Sequence, residues 1–308
     1  MLPDIAQGID SVADKIYSSM KSAAIEGGRI LLKCRGKVED LADKNKVAIH
    51  DEYAAQALAK TIVDDVVQEL FLARLFQVCP QVRINVEEET PLKYLFQGNQ
   101  HFLTSHCDPC DGTLSYLEGK DEFATGYAIS DAENNFTHTV VCIPTRGRVF
   151  AASPQKHCIF NLSNEQNPDF TLEDGSSSKI VFAKRILSEK GEKMLLSAGL
   201  KLGKTGSAHT GIIDVATGKA AAFIYGLSKP HDSFIPYAFA TACGAQVYDA
   251  TGKVLTGRDI VVQCENGFPV FERVPSVCYF KDADVKSVIL EILSDKSNLH
   301  PSYVNSIA

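Results

Sequence analysis

Apolar residues recur at intervals of three and four along the first part of the chain, which is the spacing of one helix face. Over residues 4–33 this pattern predicts one amphipathic helix that is broken near Gly27-Gly28, or two shorter helices. A second helical pattern runs from Glu52 to about Phe76, and Pro80 is expected to end it because proline lacks a backbone N–H. The stripe expected to face the core consists of Ala54, Leu58, Ile62, Val66, Leu70 and Leu75.

Shorter apolar runs follow, with the composition and bounding turns that are typical of strands. The strands predicted here are 82–86, 102–104, 123–130, 137–143 and 147–152, followed by a polar loop at 164–178. The pattern then changes to strand 180–183, helices 188–198 and 207–216, strand 220–225, helix 232–243, strands 245–248 and 260–264, and helix 283–294. We therefore expect a mixed fold of the α/β (α+β) class, with an N-terminal half at 1–178 and a C-terminal half at 179–308.

The composition limits the classes of protein that the chain could represent. With 308 residues, 45% of them hydrophobic, it can build a substantial core. Its formal net charge of −7 argues against a nucleic-acid polymer as partner and against a basic membrane-binding surface. No signal segment and no run of roughly 20 apolar residues is visible, so we expect a cytoplasmic protein. The nine irregularly spaced cysteines predict reduced thiols.

Candidate chemistry is concentrated in the stretch Asp108-Pro109-Cys110-Asp111-Gly112-Thr113. Pro109 fixes one backbone torsion, so both carboxylates are expected on a stiff turn. Gly112 lets the backbone approach a ligand, and the N–H groups of Gly112 and Thr113 could then face an anion. The upstream run Glu87-Glu88-Glu89 adds carboxylates, although such a run alone is more often a solvated surface. Carboxylates that bind Mg²⁺, beside N–H groups that bind phosphate, favour metal-assisted hydrolysis of a phosphate ester.

Three stretches, in the same order along the chain, resemble the inositol monophosphatase superfamily of lithium-sensitive, magnesium-dependent phosphatases. Asp108 to Thr113 matches its Asp-Pro-x-Asp-Gly-Thr signature, and Glu87 to Thr90 resembles its Glu-Glu-Ser/Thr element. Lys229-Pro230-His231-Asp232, followed by Ala242 to Ala245, resembles its Trp-Asp…Ala-Gly-Gly element. The resemblance implies that superfamily's layered α-β-α-β-α sandwich and a site that holds two or three Mg²⁺ ions.

The resemblance also implies which residues bind the metal ions. They are Glu87 or Glu88, Asp108, the carbonyl group of Cys110, Asp111 and Asp232. The choice between the two glutamates stays open, because counting forward from Pro80 favours Glu87 and counting back from Asp108 favours Glu88. A cysteine that contributes only its carbonyl oxygen is compatible with hard cations, which a thiolate would not suit.

A Thr–Asp pair is further implied as the group that takes a proton from the attacking water. Thr113 is one member, and its partner is either Asp64 or Asp51. Asp64 is preferred because it has the better spacing to Pro80, whereas Asp51 opens a stretch that resembles the bisphosphate nucleotidase branch. The residues implied to contact substrate are Gly112, Thr113, Ser207 and Ala208.

Two positions depart from the family pattern. His231 stands where the family usually has Trp, and we expect it to pack more than it reacts. The position of a sugar-binding Glu in the inositol-hydrolysing members falls near Tyr225, which weakens the case for inositol specifically. The remaining histidines are expected to be ordinary surface or core residues.

We therefore predict a Mg²⁺-dependent phosphatase, without a covalent intermediate, for a small polyol or nucleotide phosphate. Inositol phosphates lead, while 3′-phosphoadenosine phosphate is suggested by Ala54-Ala55-Gln56 and histidinol phosphate by Lys229 to Asp232. The alternative of another class is a phosphate-binding or regulatory protein that has lost turnover. The expected partner is a small phosphate ester, with no nucleic-acid polymer and no membrane, and a homodimer is left open.

Overall fold

The structure, a computed structural model, describes residues 3–41, 60–96, 102–153, 156–163, 178–184, 186–225, 230–249, 251–260, 264–265, 268–269, 277–280, 283–301 and 304. Within these residues, helices and sheets alternate in five layers: two helices, a six-stranded sheet, two helices, a five-stranded sheet and two helices. The predicted α-β-α-β-α sandwich is confirmed.

The first layer consists of helices Pro3–Cys34 and Ile62–Val78, which pack against each other and against the first sheet. Helix Pro3–Cys34 is continuous, so the break predicted near Gly27-Gly28 is wrong. The glycines instead permit close packing: a Cβ at Gly28 would lie 2.5 Å from Cys142 Sγ, and one at Gly27 would lie 3.0 Å from Val67 Cγ1. Each glycine weakens an isolated helix by only about 1 kcal/mol, which the tertiary packing of this helix outweighs.

Gly28→Ala is expected to destabilise the protein by about 1–3 kcal/mol, the usual effect of overpacking a close-packed interior. The added methyl group would overlap Cys142 Sγ, whose own side chain is fully buried. Urea unfolding of the purified variant measures the change in the free energy of unfolding. Because the same substitution at an exposed helical glycine is stabilising, a variant more stable than the parent protein would contradict this contact.

Helix Ile62–Val78 ends before Pro80 as predicted, but it buries a different stripe from the predicted one. Ile62 and Val66 were expected in the core, yet they are 52% and 45% exposed. The residues that this helix buries are Val63, Asp64, Val67, Gln68, Phe71, Leu72 and Leu75. Apolar residues occur on all sides of this helix, so their spacing does not single out one face. Asp64 and Gln68 turn inward because they find hydrogen-bond partners there.

The first sheet contains six strands in chain order, of which only the first two run parallel. Its strands are Arg83–Val86, Leu103–Asp111, Ala124–Asp131, Phe136–Ile143, Arg148–Ala152 and His157–Asn161. Four of the predicted strands are confirmed with small shifts at their ends. The strand predicted at 102–104 is too short, because the real strand continues through Asp108 to Asp111, and the strand His157–Asn161 is missing from the prediction.

The second sheet has five strands, three of which the sequence predicts. Their order across the sheet is Gln246–Asp249, Val277–Phe280, Ala222–Tyr225, Ile180–Lys184 and Lys201–Gly203. Strands Val277–Phe280 and Lys201–Gly203 are missing from the prediction. The strand predicted at 260–264 is wrong at its start, since Gly257–Ile260 is a helical turn. Residues 261–263 lie outside the described residues, and Cys264–Glu265 pairs with Phe268–Pro269 in a separate two-stranded sheet.

Four predicted helices of the C-terminal half are confirmed, and they lie on both faces of the second sheet. Helices Ala208–Ala216 and Pro230–Ala242 lie between the two sheets, and helices Glu189–Ser197 and Ala283–Ser294 cover the outer face. The short elements are helix Thr113–Leu117 and the 3₁₀ turns Pro91–Leu95, Pro144–Arg146 and Lys296–Asn298. The central helices bring their first residues to the first sheet, where the candidate site lies.

Part of the prediction lies outside the described residues. This holds for the start of the second predicted helix, up to residue 59, and for the loop at 164–178 except Ser178. The division into halves at residue 178 stays a prediction. Among the helices of the described residues, none combines the length and the apolar character needed to cross a bilayer.

Candidate active site

Two stretches that carry carboxylates meet because strands Arg83–Val86 and Leu103–Asp111 are parallel neighbours. Val86 lies opposite Cys107 in their register, so the next residues, Glu87 and Asp108, reach the same edge of the sheet. Ligands commonly bind at such an edge, beyond the carboxyl ends of parallel strands. The first sheet thus supplies the base of the site.

Asp108 and Asp111 lie on the strand itself and not on a turn, which corrects the sequence prediction. Pairing with strand Ala124–Asp131 shifts register between them, and this irregularity is a β-bulge. Pro109 fits there because a bulge releases it from donating a ladder hydrogen bond. Asp108 Oδ1 accepts a hydrogen bond of 3.1 Å from the backbone N–H of Cys110, whose thiol is buried and free. Asp108 and Asp111 therefore lie at the two ends of the bulge, on the same short segment of the strand.

Gly112 ends this strand in a conformation that requires glycine. Its φ is +88°, and a Cβ there would lie 2.6 Å from the carbonyl oxygen of Glu122. Other residues would meet both a backbone penalty and a steric clash. The chain then turns directly into helix Thr113–Leu117, as the sequence predicts.

Thr113 and Asp64 are brought together from different elements. The Thr113 hydroxyl lies 3.2 Å from Asp64 Oδ1 and 2.8 Å from the carbonyl oxygen of Cys110, so its single proton can be donated to either. Asp64 Oδ2 accepts from the backbone N–H and the hydroxyl of Thr61, at 2.9 and 2.5 Å, in a capping box. Asp64 is fully buried. The alternative partner, Asp51, lies outside the described residues.

The two adjacent glutamates that the sequence leaves open have different surroundings. Glu88 Oε2 forms a 2.7 Å ion pair with Lys60, and the Glu88 backbone N–H donates to Gln68 Oε1 at 2.8 Å. Glu87 Oε1 instead lies 3.7 Å from His231 Nε2. Glu88 thus has an ammonium partner, which also lies 2.7 Å from Asp65 Oδ1, while Glu87 lies beside His231 and Asp232.

Helix Pro230–Ala242 brings Asp232 and His231 to Glu87. His231 Nε2 lies 3.4 Å from Asp232 Oδ1, and one ligand atom from each of the three residues lies within 4.8 Å of the other two. His231 is buried, as expected of a packing residue. Its Nε2 also faces two carboxylates, which the sequence did not indicate. These three residues could hold one metal ion.

The start of helix Ala208–Ala216 packs directly on Asp111. The Ser207 hydroxyl and the His209 backbone N–H both donate to Asp111 Oδ2, the second at 2.6 Å. Ser207 also caps the helix by accepting a hydrogen bond from its first turn. Both Ser207 and Ala208 are fully buried. Their role in binding substrate stays a prediction.

His209 is a residue of the site that sequence reasoning missed. Its ring is fully buried, with Nδ1 3.6 Å from Asp111 Oδ2 and Nε2 3.9 Å from Asp108 Oδ2. These three residues form a second group whose ligand atoms lie within 4.8 Å of one another. A single histidine in an apolar helix is usually a core residue. The one available signal is its position directly after Ser207-Ala208, which the resemblance had already placed near substrate.

The electrostatics of the cluster fit bound cations. Asp108 Oδ2 is buried and has no hydrogen-bond donor among the described residues. Burial, followed by the charges of Glu87 and Asp111, holds the pKa of Asp108 well above its usual range. Burial also raises the pKa of Asp64 to about 7, and the carboxylates of Glu87 and Glu88 act in the same direction. Buried carboxylates this close together are unfavourable unless positive charge is added.

Comparison with known proteins gives the chain its family. The sequence matches the family model described as "Inositol monophosphatase family" over residues 13–277, which includes every site residue described above. The chain belongs to this family. Its members are Mg²⁺-dependent phosphatases. No curated protein matches the sequence.

Solved structures of the family share the whole fold at low sequence identity. An IMPase from Thermotoga maritima is 16% identical with a TM-score of 0.69, over 96% of this chain and 100% of that one. The extragenic suppressor protein suhB from Bartonella henselae is 16% identical with a TM-score of 0.62, over 91% and 98%. An IMPase/NADP phosphatase complexed with Mg²⁺ and phosphate is 15% identical with a TM-score of 0.64, over 89% and 93%. At these identities the likeness shows the fold alone.

Proposed function

We propose that the protein hydrolyses a small-molecule phosphate monoester with Mg²⁺ as cofactor. The observation that carries this proposal is the Thr113–Asp64 contact beside two groups of metal-binding side chains. A hydroxyl oriented by a buried carboxylate, next to a cation site, is an arrangement suited to deprotonating water.

The residues proposed to hold Mg²⁺ are Glu87, Asp108, the carbonyl group of Cys110, Asp111 and Asp232. We prefer Glu87 to Glu88 because Glu88 already forms a 2.7 Å ion pair with Lys60, whereas Glu87 is grouped with His231 and Asp232. Mg²⁺ bound there would polarise the phosphate oxygens and lower the pKa of a water molecule. The unpartnered, buried Asp108 Oδ2 supports this assignment, since a hard cation is the group that such an oxygen accepts most readily.

The chain's own contribution to the reaction is to orient the water and receive its proton. When the Thr113 hydroxyl donates to Asp64 Oδ1, the lone pairs of Thr113 Oγ1 are left to accept a hydrogen bond from water. Proton transfer through Thr113 would then place the proton on Asp64 Oδ1 and neutralise that carboxylate, whose ionised form two hydrogen bonds from Thr61 to Oδ2 stabilise beforehand. The backbone N–H groups of Gly112 and Thr113 are proposed to bind the phosphate.

The substrate class is proposed more broadly than one compound. Inositol phosphates and nucleotide phosphates are both supported by the family, because one solved relative is an IMPase/NADP phosphatase. The stretch Ala54-Ala55-Gln56, which suggests 3′-phosphoadenosine phosphate as a substrate, lies outside the described residues. Histidinol phosphate is suggested by the stretch Lys229 to Asp232, and the proximity of His231 Nε2 to Asp232 Oδ1, at 3.4 Å, supports keeping it as a candidate.

The proposal is tested by measuring the release of inorganic phosphate, with and without Mg²⁺, from four compounds. They are inositol phosphate, NADP, 3′-phosphoadenosine phosphate and histidinol phosphate. We expect turnover of at least one compound that stops when Mg²⁺ is chelated. Binding of inositol phosphate or NADP without any phosphate release would instead favour the non-catalytic phosphate-binding protein.

Ca²⁺ is expected to support little or no turnover where Mg²⁺ supports full activity. Ca²⁺ forms longer bonds, at about 2.3–2.6 Å against about 2.0–2.1 Å for Mg²⁺, and accepts looser geometry, so it would displace phosphate and water from alignment. Steady-state rates with each ion at saturation measure the effect. From the family resemblance we also expect Li⁺ to inhibit. Equal rates with Ca²⁺ and Mg²⁺ would count against a site of defined geometry.

A further inference from the structure

Two buried histidines accompany the carboxylates, and each belongs to a different group of metal-binding side chains. His231 lies with Glu87 and Asp232, and His209 lies with Asp108 and Asp111. Each group therefore offers two carboxylates and one imidazole. A site built for Mg²⁺ alone needs only oxygen ligands, whereas imidazole nitrogen favours transition-metal ions.

The surroundings of His209 point to a bound ion. Its side chain is fully buried, and neither ring nitrogen has a hydrogen-bond partner among the described residues. Both nitrogens are directed at carboxylate oxygens, at 3.6 and 3.9 Å, which is too far for direct hydrogen bonds. An imidazole that is buried without partners is unfavourable. A cation bonded to both His209 Nε2 and Asp108 Oδ2 would give each of these atoms a partner.

The backbone keeps a place for this ring. Strand Ala124–Asp131 passes beneath His209 at Gly126, where a Cβ would lie only 2.7 Å from His209 Cε1. In the other group, His231 Nε2 lies 3.4 and 3.7 Å from the two carboxylates.

We propose that His209 and His231 are nitrogen ligands of the active-site cations, and that the site binds Mn²⁺ and Zn²⁺ more tightly than Mg²⁺. The inference rests on the proposed metal-dependent function and concerns which ion that same site holds. Affinity for sites with nitrogen ligands rises from Mn²⁺ to Zn²⁺, while Mg²⁺ gains little from imidazole.

Pulsed electron paramagnetic resonance of the Mn²⁺-loaded protein tests the ligands directly, because a directly bound imidazole nitrogen modulates the Mn²⁺ signal. We expect nitrogen modulation in the parent protein and a weaker signal in both His209→Gln and His231→Gln. His138→Gln is the matched control, since His138 Nε2 lies 3.5 Å from Asp14 Oδ1 outside either group, and its signal should equal the parent's. If His209→Gln does not fold, the nitrogen modulation of the parent protein and its change in His231→Gln still test the inference.

Calorimetric titration tests the selectivity. His231→Gln should weaken Mn²⁺ binding by about 10- to 100-fold and Mg²⁺ binding by less than about threefold. No nitrogen modulation in the parent protein, which is the result for a histidine bridged to carboxylates by water, would overturn the inference. Equal affinity of the parent for Mg²⁺ and Mn²⁺ would do the same. Phosphate release with Mg²⁺ but without nitrogen modulation would support the proposed phosphatase function and contradict the nitrogen ligands. Nitrogen modulation without any phosphate release would support the nitrogen ligands and contradict the phosphatase function.

Discussion

Asp108→Asn is expected to lower kcat/KM by about 10³-fold or more while the fold stays intact. Binding and activation by the cation are worth several kcal/mol of transition-state stabilisation, and about 1.4 kcal/mol corresponds to a factor of ten. Asp108 belongs to the group that contains His209, and the negative charges of Glu87 and Asp232 in the other group also raise its pKa. An amide keeps the shape of this side chain but removes its charge. Initial rates of phosphate release at saturating Mg²⁺ measure the loss.

The same substitution should raise the melting temperature in the absence of divalent cations. The folded state raises the pKa of Asp108, so this carboxyl contributes stability below its unfolded pKa of about 4 and loses that contribution as the pH rises toward the folded value. At neutral pH its ionisation therefore destabilises the protein, and Asn removes that penalty. Below pH of about 4 the two proteins should melt alike.

Adding Mg²⁺ should then stabilise the parent protein but not Asp108→Asn, because only the parent binds the ion tightly. The matched control is Asp14→Asn, whose carboxylate is 73% exposed on the first helix and belongs to neither group of metal-binding side chains. It should leave both activity and Mg²⁺-induced stabilisation unchanged. Near-parental activity of Asp108→Asn would show that the metal site is placed wrongly.

Asp64→Asn is expected to lower kcat by about 10²–10⁴-fold with little change in KM. The carboxylate of Asp64 accepts the Thr113 hydroxyl at 3.2 Å, and an amide in its place can donate and is a far weaker base. Because Asp64 is not proposed to touch substrate or metal, the loss should appear in kcat alone. Steady-state kinetics of the purified variant separate the two constants.

Asp64 also caps a helix, so its substitution carries a structural effect that needs its own control. Asp259 offers a match: its Oδ2 accepts from the Thr256 backbone N–H and hydroxyl, both at 2.7 Å, in the same Thr-x-x-Asp arrangement. Asp259→Asn removes the same cap contact, together with a 2.6 Å ion pair to Lys253, and should lower stability by about 1 kcal/mol without lowering kcat. If kcat fell in both Asp64→Asn and Asp259→Asn, the loss of activity would be explained by loss of a helix cap and not by loss of the base.

The alternative base partner is tested beside it. Asp51→Asn should have a much milder effect on kcat than Asp64→Asn, since Asp64 is the carboxylate that the structure places against Thr113. A collapse of kcat only in Asp51→Asn would transfer the role to Asp51. No collapse in either variant would remove the Thr–Asp pair from the mechanism.

The sequence by itself determined the features that depend on neighbouring residues. The order of most strands and helices follows from local apolar spacing, and the turn at Gly112 follows from the residue type that accepts a positive φ most readily. The six residues from Asp108 to Thr113 mark the candidate site in the sequence alone, because residues that lie together in the chain also lie together in space.

Features that depend on packing could not be predicted in the same way. Glycines at 27 and 28 have the low helix propensity of a break, and only the approach of Cys142 and Val67 explains why the helix continues. Strands such as Lys201–Gly203 are too short to show a period, and they are extended because a neighbouring strand supplies their hydrogen bonds. Apolar residues likewise occur on all sides of helix Ile62–Val78, and only the packing of the helix against the first sheet decides which of them are buried.

The composition of the site was decided by the tertiary structure. Glu87 and Glu88 are equivalent in the sequence, and what separates them is the ammonium group of Lys60, which comes from outside the glutamate run. His209 and His231 meet the carboxylates because two helices begin at the same edge of the first sheet, between the two sheets. No local pattern encodes that meeting, since the residues are far apart in the chain. The energy that holds them together comes from burial of the layers around them.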